Sequence, residues 1–239
     1  MSPDLKYRRI LLKLSGETMG GAEGRGLDIP SVERIADEVL AVQKLGVSIA
    51  IVIGGGNIVR GAVAQHSGIA RVTADQMGML ATVINSLALQ SSLENKQCQT
   101  RVMSAVEMPK FAEAYIWRRA LRHLDKGRIV IVAAGTGNPY FSTDTAAALR
   151  AVELHADVLL KGTKVDGVYT GDPAKDASAT KYDTLTYRRA LADQLQVMDA
   201  TAVTLCQENK LPIVVFNLNQ PGSLQRVVTG DPIGTAIKE

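Results

Sequence analysis

The chain has 239 residues, of which 46% are apolar and 21% charged, and its formal net charge at pH 7 is only +3. This length can bury the core of a single domain, while the weak charge and only ten aromatic residues exclude an extended nucleic-acid surface. No apolar run reaches the roughly 20 residues of a membrane span, and Cys98 and Cys206 fit reduced thiols of a cytoplasmic protein.

Four apolar runs each end in a small polar loop marked by glycine. They cover residues 10–17, 47–57, 128–144 and 156–173. Runs of Val, Ile, Leu and Ala without polar alternation are typical of strands buried on both faces of a parallel sheet. Ligands of such sheets bind at the carboxyl ends of the strands, where glycine N–H groups and lysines favour an anion. The four loops therefore predict a phosphate site.

Helical patterns alternate with these strands. The first predicted helix covers residues 31–45, with Ser31 as its N-cap. A long helix over residues 75–95 carries Leu80, Val83, Ile84 and Leu87 on one face, which indicates core packing or, alternatively, a subunit interface. Further helices are predicted over residues 112–124, 144–154, 187–195 and 199–208, with strands at 101–105 and 212–218 and a hairpin-like segment at 165–173. The alternation predicts an α/β fold, a three-layer αβα sandwich around a mainly parallel sheet.

Neither common nucleotide-binding motif is present. The pattern G-x-x-x-x-G-K-[ST] does not occur, and the GTG at Gly135 is followed by Asn-Pro-Tyr rather than by the spacing of a dinucleotide fold. Lys13 instead lies inside the first strand, and Lys161 ends another buried strand. A carboxylate at Asp144 would hold both lysines in position for phosphoryl transfer. Each residue alone has a plainer interpretation, since Lys13 could pair with any carboxylate and Asp144 could belong to a helix cap.

The motifs together resemble those of the bacterial uridylate (UMP) kinases of the amino acid kinase family. They are KLSGE at Lys13, VIGGGNIVRG at Val52, GTGNPYFSTDTAA at Gly135 and KGTKVDGVYTGDPAKD at Lys161. The resemblance runs from Tyr7 to Ile237, and the motifs stand in the family's order. It implies the amino acid kinase fold, with a UMP-side lobe over about residues 1–155 and an ATP-side lobe over about 156–239.

The resemblance also implies the substrates and their residues. The implied reaction transfers the γ-phosphoryl group of ATP to UMP, with Mg²⁺ accompanying ATP and no dedicated protein metal cage. The implied catalytic residues are Lys13, Arg60, Asp144 and Lys161. The implied ATP contacts are Lys13, Leu14, Ser15, Gly16, Gly56, Arg60, Thr163, Tyr169 and Asp172. The implied UMP contacts are Gly55, Asp75 (for the ribose hydroxyls), Thr136, Gly137, Asn138, Pro139, Tyr140, Phe141, Ser142 and Thr143.

Regulation and assembly are implied in the same way. Members of this family with a glycine-rich loop like that at residues 21–26 bind GTP there as an activator, at the subunit contacts of a homohexamer. The implied GTP residues are Gly21, Ala22, Glu23, Gly24, Arg25, Gly26, Arg101 and Arg128. Inhibition by UTP and a place in pyrimidine nucleotide synthesis are also implied. Without the resemblance, the loop is simply a mobile surface segment.

Two alternatives stay open at this point. A kinase of the same superfamily could phosphorylate a carboxylate or a carbamate, an acceptor that would not require Asp75 and would favour an arginine. A related fold could also bind nucleotide without turnover, in a storage or regulatory assembly. The presence of Lys13, Asp144 and Lys161 argues against that second alternative.

Overall fold

The computed structural model describes residues 4–59, 68–171, 173, 175–176, 178–195 and 197–239. The strands in this part of the chain are β1 (Arg9–Leu14), β2 (Ser48–Ile53), β3 (Thr100–Ser104), β4 (Glu113–Ala114), β5 (Ile129–Ala133), β6 (Val158–Thr163), β7 (Val168–Tyr169), β8 (Lys181–Tyr182), β9 (Thr184–Thr186), β10 (Ile213–Asn217) and β11 (Thr235–Lys238). The helices are α1 (Ile29–Gln43), α2 (Arg71–Asn95), α3 (Trp117–Asp125), α4 (Thr143–Glu153), α5 (Tyr187–Ala192), α6 (Ala200–Glu208) and α7 (Ser223–Thr229).

One sheet organises the molecule. In the described part of the chain, nine strands lie in the order β4-β3-β5-β2-β1-β6-β10-β11-β9, and β7 pairs with β8 in a separate two-stranded ribbon. All neighbouring pairs of the large sheet are parallel except β10 and β11. The mainly parallel α/β sandwich predicted from the sequence is therefore confirmed, and the carboxyl ends of β1, β2, β5 and β6 share one edge.

Helices cover both faces of the sheet. Ile10, Leu12 and Leu14 of β1 pack in one apolar cluster with residues of α1, α2 and α7. Leu11, from the other face of the same strand, packs in a second cluster with residues of α3, α4, α5 and α6. Side chains of a strand alternate between its two faces, so two such clusters define the outer layers of a three-layer fold. Among the described residues, no helix has the length and hydropathy needed to cross a membrane.

Several sequence-based details were wrong. Helix α1 begins at Ile29 and is capped by Asp28, whose Oδ2 accepts from the Ser31 N–H at 2.9 Å, so Ser31 is not the N-cap. An aspartate placed before a proline-containing first turn is the better cap, because its carboxylate also faces the positive end of the helix dipole. Residues 113–114 form an edge strand, and the helix predicted from residue 112 begins only at Trp117.

Helix α2 also departs from the prediction. It begins at Arg71 rather than at residue 75, and only part of its expected core face is buried. Val83 is 6% exposed, whereas Leu80 is 56% and Ile84 is 46% exposed. Core packing is therefore wrong for Leu80 and Ile84, which leave an apolar strip on the surface of this chain.

Candidate active site

The two lysines predicted from the strand ends are direct neighbours in the sheet. Lys13 of β1 pairs in register with Lys161 of β6. Two residues earlier, Leu11 and Leu159 lie in the cluster beneath α4, so the period-two alternation directs both lysines to that face. The parallel register thus places two cationic side chains side by side at the carboxyl edge of the sheet.

Asp144 lies between these lysines. It occupies the first turn of α4, a helix whose N-cap is Ser142. Its Oδ1 is 2.6 Å from Lys13 Nζ and its Oδ2 is 3.0 Å from Lys161 Nζ, and all three side chains are at most 17% exposed. Lys161 Nζ also donates to the Val197 carbonyl at 2.5 Å. The structure therefore brings together the lysine-aspartate-lysine cluster that the sequence predicted, with one positive charge in excess.

Burial and charge oppose each other in this cluster. Burial alone would raise the pKa of Asp144, but the Lys13 and Lys161 ammonium groups outweigh it and hold the pKa below the usual aspartate value. Burial lowers the pKa of Lys161, and the Asp144 carboxylate opposes that shift only in part. The cluster is thus a partly dehydrated cationic site in which an incoming phosphate would replace lost solvation.

The glycine loops after β1 and β2 touch each other. A Cβ atom on Gly16 would lie only 2.7 Å from the Gly54 carbonyl oxygen and 2.9 Å from the Gly56 nitrogen, so a side chain does not fit there. Ser15 caps the short 3-10 turn that follows, and its Oγ accepts from the Glu17 N–H at 3.3 Å. A Cβ on Gly56 would meet open space, which leaves its backbone facing the cleft.

A cleft lies beside this loop, between α2 and the segment after β5. Its lining residues come from the glycine loop, from α2 and from the segment between β5 and the first residue of α4: Gly55, Gly56, Val59, Ala74, Asp75, Gly78, Met79, Thr82, Gly135, Thr136, Asn138, Phe141 and Thr143. Six of these were predicted as UMP contacts, namely Gly55, Asp75, Thr136, Asn138, Phe141 and Thr143. Gly137 approaches the backbone of Ala105 instead, since a Cβ there would lie 3.0 Å from the Ala105 carbonyl oxygen.

Asp75 stands at the mouth of the cleft with two partners. Its carboxylate accepts from Arg71 Nε at 2.9 and 3.0 Å, one turn earlier on α2. It also accepts from the Tyr140 backbone N–H at 2.8 Å, and the Arg71 guanidinium lies over the Tyr140 ring. Tyr140 has a φ of 71°, a conformation that is uncommon for a residue with a side chain. Asp75 therefore fastens the segment after β5 to α2.

Two of the predicted ATP contacts, Thr163 and Tyr169, belong to β6 and β7, and β6 flanks β1 on the side opposite to β2 and β5. Thr163 ends β6, and its Oγ1 donates to the Val165 carbonyl at 2.6 Å. Tyr169 of β7 donates to Asp166 at 2.6 Å and borders a second depression that extends to Leu195. Arg60 and Asp172, also predicted here, lie outside the described residues.

The residues predicted for GTP fall into two places within one chain. The segment 21–26 follows β1 at the carboxyl edge of the sheet, where a Cβ on Gly24 would come within 3.7 Å of Lys164 Nζ. Arg128 precedes β5 at the opposite edge and donates to Gln99 at 3.0 Å. Arg101 lies on β3, 3.8 Å from Glu94 and from Glu113. A single chain does not unite these residues, so their shared role stays a prediction.

Sequence reasoning missed Asp199, which precedes α6. Its carboxylate accepts from Thr145 Oγ1 at 2.9 Å, from Ser142 Oγ, and from the Ala202 N–H at 2.8 Å. It thereby joins the start of α4, which carries Asp144, to the segment whose Val197 carbonyl binds Lys161. In the sequence, Asp199 is the last residue of LQVMD at residues 195–199, a segment that fits the pattern of the family but that gave Asp199 no role of its own.

Comparison with known proteins places this geometry in a family. Residues 8–217 match the model of the amino acid kinase family. A uridylate kinase of Paramagnetospirillum magneticum is 56% identical over 237 residues, which cover 99% of both chains. Among solved structures, a UMP kinase of Bacillus anthracis superposes with a TM-score of 0.94 at 42% identity, covering 97% of this chain and 96% of that one. A UMP kinase of Ureaplasma parvum gives 0.92 at 36% identity, covering 98% and 100%.

Proposed function

This chain belongs to the amino acid kinase family, and from that premise we propose that it transfers the γ-phosphoryl group of ATP to UMP, which gives UDP and ADP. The observation that carries the proposal is the buried Lys13–Asp144–Lys161 cluster, which lies beside a cleft lined by Asp75 and Thr136. The full-length similarity to uridylate kinases supports the choice of acceptor.

The chemistry asks mainly for charge neutralisation and alignment. Both reacting groups are anions, so the acceptor needs no strong base, and repulsion between the two phosphates is the barrier to remove. Lys13 and Lys161 would stabilise the negative charge on the γ-phosphoryl oxygens while this group is transferred. Asp144 contacts both Nζ atoms and would keep them a fixed distance apart, which is a positioning role.

Polar groups of the cleft would select the acceptor. Asp75 accepts hydrogen bonds only, which suits the hydroxyls of a ribose. The Asn138 backbone N–H donates to Thr136 Oγ1 at 3.2 Å, so this turn is already ordered and would present its polar groups to the base. The backbone at Gly55 and Gly56 would lie between the acceptor phosphate and the γ-phosphate of ATP.

Mg²⁺ fits this site as a companion of ATP. Both carboxylate oxygens of Asp144 are occupied by lysines, and the described residues contain no group of three or more metal-binding side chains. Such surroundings fit an ion held mainly by nucleotide oxygens and water. When bound, the ion neutralises charge on the β- and γ-phosphates, while the lysines act on the transferred group.

A coupled assay of ADP release tests the proposal. ATP and Mg²⁺ would be offered with UMP, CMP, acetylglutamate, aspartate and carbamate in parallel. We expect turnover with UMP. Turnover with a carboxylate or a carbamate only would assign the chain to another branch of the family, and silence on every acceptor with ATP still bound would favour the non-catalytic alternative.

Assembly and regulation form a second part of the proposal. The apolar strip of α2, where Leu80 and Ile84 are about half exposed in the single chain, supports a contact between subunits, and the homohexamer itself rests on family resemblance. Activation by GTP, inhibition by UTP, a role in pyrimidine nucleotide synthesis and a cytoplasmic location rest on family resemblance. Sedimentation of the purified protein tests the homohexamer, and repetition of the assay with GTP and with UTP tests activation and inhibition.

A further inference from the structure

Asn57 ends the GGGN loop with a side chain that the proposed chemistry does not use. The residue is 5% exposed. Its Nδ2 donates to the Gly26 carbonyl at 2.5 Å and to Asn85 Oδ1 at 3.0 Å. The backbone carbonyl of Asn57 accepts from the Gly26 N–H at 2.9 Å. The asparagine thus binds the glycine-rich segment 21–26 through both its side chain and its backbone.

Asn85 of α2 completes the arrangement and has no exposed surface. Its Nδ2 donates to Asn57 Oδ1 at 2.7 Å and to the Gly54 carbonyl at 2.7 Å. The two amides therefore bind each other reciprocally, and all four of their side-chain N–H donors have acceptors. A buried polar pair satisfied in this way is stable in only one orientation, because any rotation leaves donors unpaired.

The loop after β1 also rests on this pair. A Cβ atom on Gly16 would lie 2.5 Å from Asn57 Oδ1, so the backbone of Gly16 packs directly against the amide. Three separate glycine segments, those at Gly16, at residues 54–56 and at residues 21–26, consequently contact the Asn57–Asn85 pair. The helix that supplies Asn85 also carries Asp75, ten residues earlier and about 15 Å away along a rigid axis.

We propose that Asn57 and Asn85 are positioning residues, which fix the phosphate-binding loops of ATP relative to the UMP-binding helix α2. The inference rests on the proposed function for its kinetic consequences, whereas the anchoring of segment 21–26 is independent of it. Because the pair sets the alignment of two substrates rather than the contacts of either, its loss should lower kcat more than it raises either KM. A displacement of about 1 Å is enough to cost about 10²-fold in rate.

Asn85→Leu tests this role, because it keeps the approximate size of the side chain and removes every donor and acceptor. We expect kcat to fall about 10- to 100-fold and each KM to change less than about 3-fold. Ser86→Ala is the matched control, since Ser86 is equally buried on the same helix but its Oγ donates only to the Thr82 carbonyl. Unchanged kcat in folded Asn85→Leu protein overturns the proposal.

The double variant Asn57→Leu/Asn85→Leu separates positioning from stability. Replacing both partners by apolar groups removes unpaired polar atoms, so the thermal midpoint should recover part of what the single variant loses. Turnover should stay low, because the glycine segments have lost their common anchor. Recovery of kcat together with stability would mean that the pair is merely structural.

Hydrogen exchange on the unaltered protein tests the anchor even if the variants do not fold or if the chain shows no turnover. The backbone N–H of Gly26 and the side-chain amides of both asparagines should exchange at least about 10²-fold more slowly than exposed loop amides. Exchange at the rate of an open loop would overturn the proposal. Protection without turnover on any acceptor would refute the proposed function and leave this anchor in place.

Discussion

Asp144 and Asp75 both contact cations near the carboxyl edge of the sheet, but their partners differ. Asp144 joins Lys13 and Lys161, which come from two strands and are 10% and 17% exposed. Asp75 joins Arg71, four residues away on the same helix and 49% exposed. Water can solvate Arg71 if Asp75 turns to another ligand, whereas neither lysine has that option. The first contact therefore builds the site, and the second is free to exchange a partner for substrate.

Removal of Asp144 should give the largest effect. Asp144→Ala leaves two neighbouring buried ammonium groups without a counter-charge, which costs about 3–5 kcal/mol in the free energy of unfolding. With the lysines no longer aligned, kcat should fall about 10³-fold. Denaturant unfolding and steady-state kinetics measure the two quantities.

Asp125→Ala is the control for that variant. Asp125 pairs with Arg9 at 2.9 Å, but its side chain is 64% exposed. Its replacement should change the unfolding free energy by less than about 1 kcal/mol. Near-normal turnover in Asp144→Ala would contradict the role assigned to Asp144 in aligning the two lysines.

Removal of Asp75 should affect one substrate and leave the fold intact. A hydrogen bond to a charged group contributes about 1.5–3 kcal/mol, so Asp75→Ala should raise the KM for UMP by about 10- to 100-fold. The KM for ATP should change much less. Equal losses for both nucleotides would contradict the assignment of Asp75 to the ribose.

Asp231→Ala provides the comparison for Asp75. Asp231 pairs with Arg226 at 2.9 Å, and Arg226 is about as exposed as Arg71, although the Asp231 side chain is 48% exposed and that of Asp75 only 18%. Neither Asp231 nor Arg226 borders the candidate nucleotide clefts. Asp231→Ala should lose little thermal stability, because an exposed ion pair contributes less than about 1 kcal/mol, whereas Asp75→Ala also loses the hydrogen bond from the Tyr140 N–H. Only Asp75→Ala should change the kinetics.

The Lys13–Asp144–Lys161 cluster could be predicted from the sequence better than the surroundings of Asp75. Lysines at the ends of apolar strands are conspicuous, since a buried cation requires a partner, and parallel strand ends meet at one edge. Asp75 could be assigned to UMP only by resemblance. One of its partners, Arg71, is an ordinary neighbour four residues away on the same helix, and the other is the backbone N–H of Tyr140, which no sequence pattern reveals.

The misassigned face of α2 has a related cause. Leu80 and Ile84 follow the helical period as core residues do, and a pattern of apolar residues cannot separate burial in the core from burial by another subunit. Asn57 and Asn85 escaped notice for the opposite reason, because they are polar residues at buried positions and lie 28 residues apart. Long-range pairs of this kind become visible only once the chain has folded.

A pH profile sharpens the contrast at the lysines. Burial lowers the pKa of Lys161, so this ammonium should lose its proton, and the site its charge, at a pH below the ordinary lysine value of about 10.4. We expect kcat/KM to decline as the pH rises toward that value. In Lys161→Arg the decline should move to higher pH, because a guanidinium stays protonated. An unchanged alkaline limb would show that another group titrates.

Arg71→Ala should give the smallest effect, and it tests whether the exposed contact matters at all. An exposed pair contributes about 0.2–1 kcal/mol, so the KM for UMP should rise about 1.5- to 5-fold. If Arg71 acts only by orienting Asp75, the change should vanish in an Asp75→Ala background, and a double-mutant cycle in KM measures this directly. Additive effects of the two substitutions would mean that Arg71 contacts the nucleotide itself. The mouth of the cleft would then contain two groups that bind UMP, rather than one carboxylate that Arg71 orients.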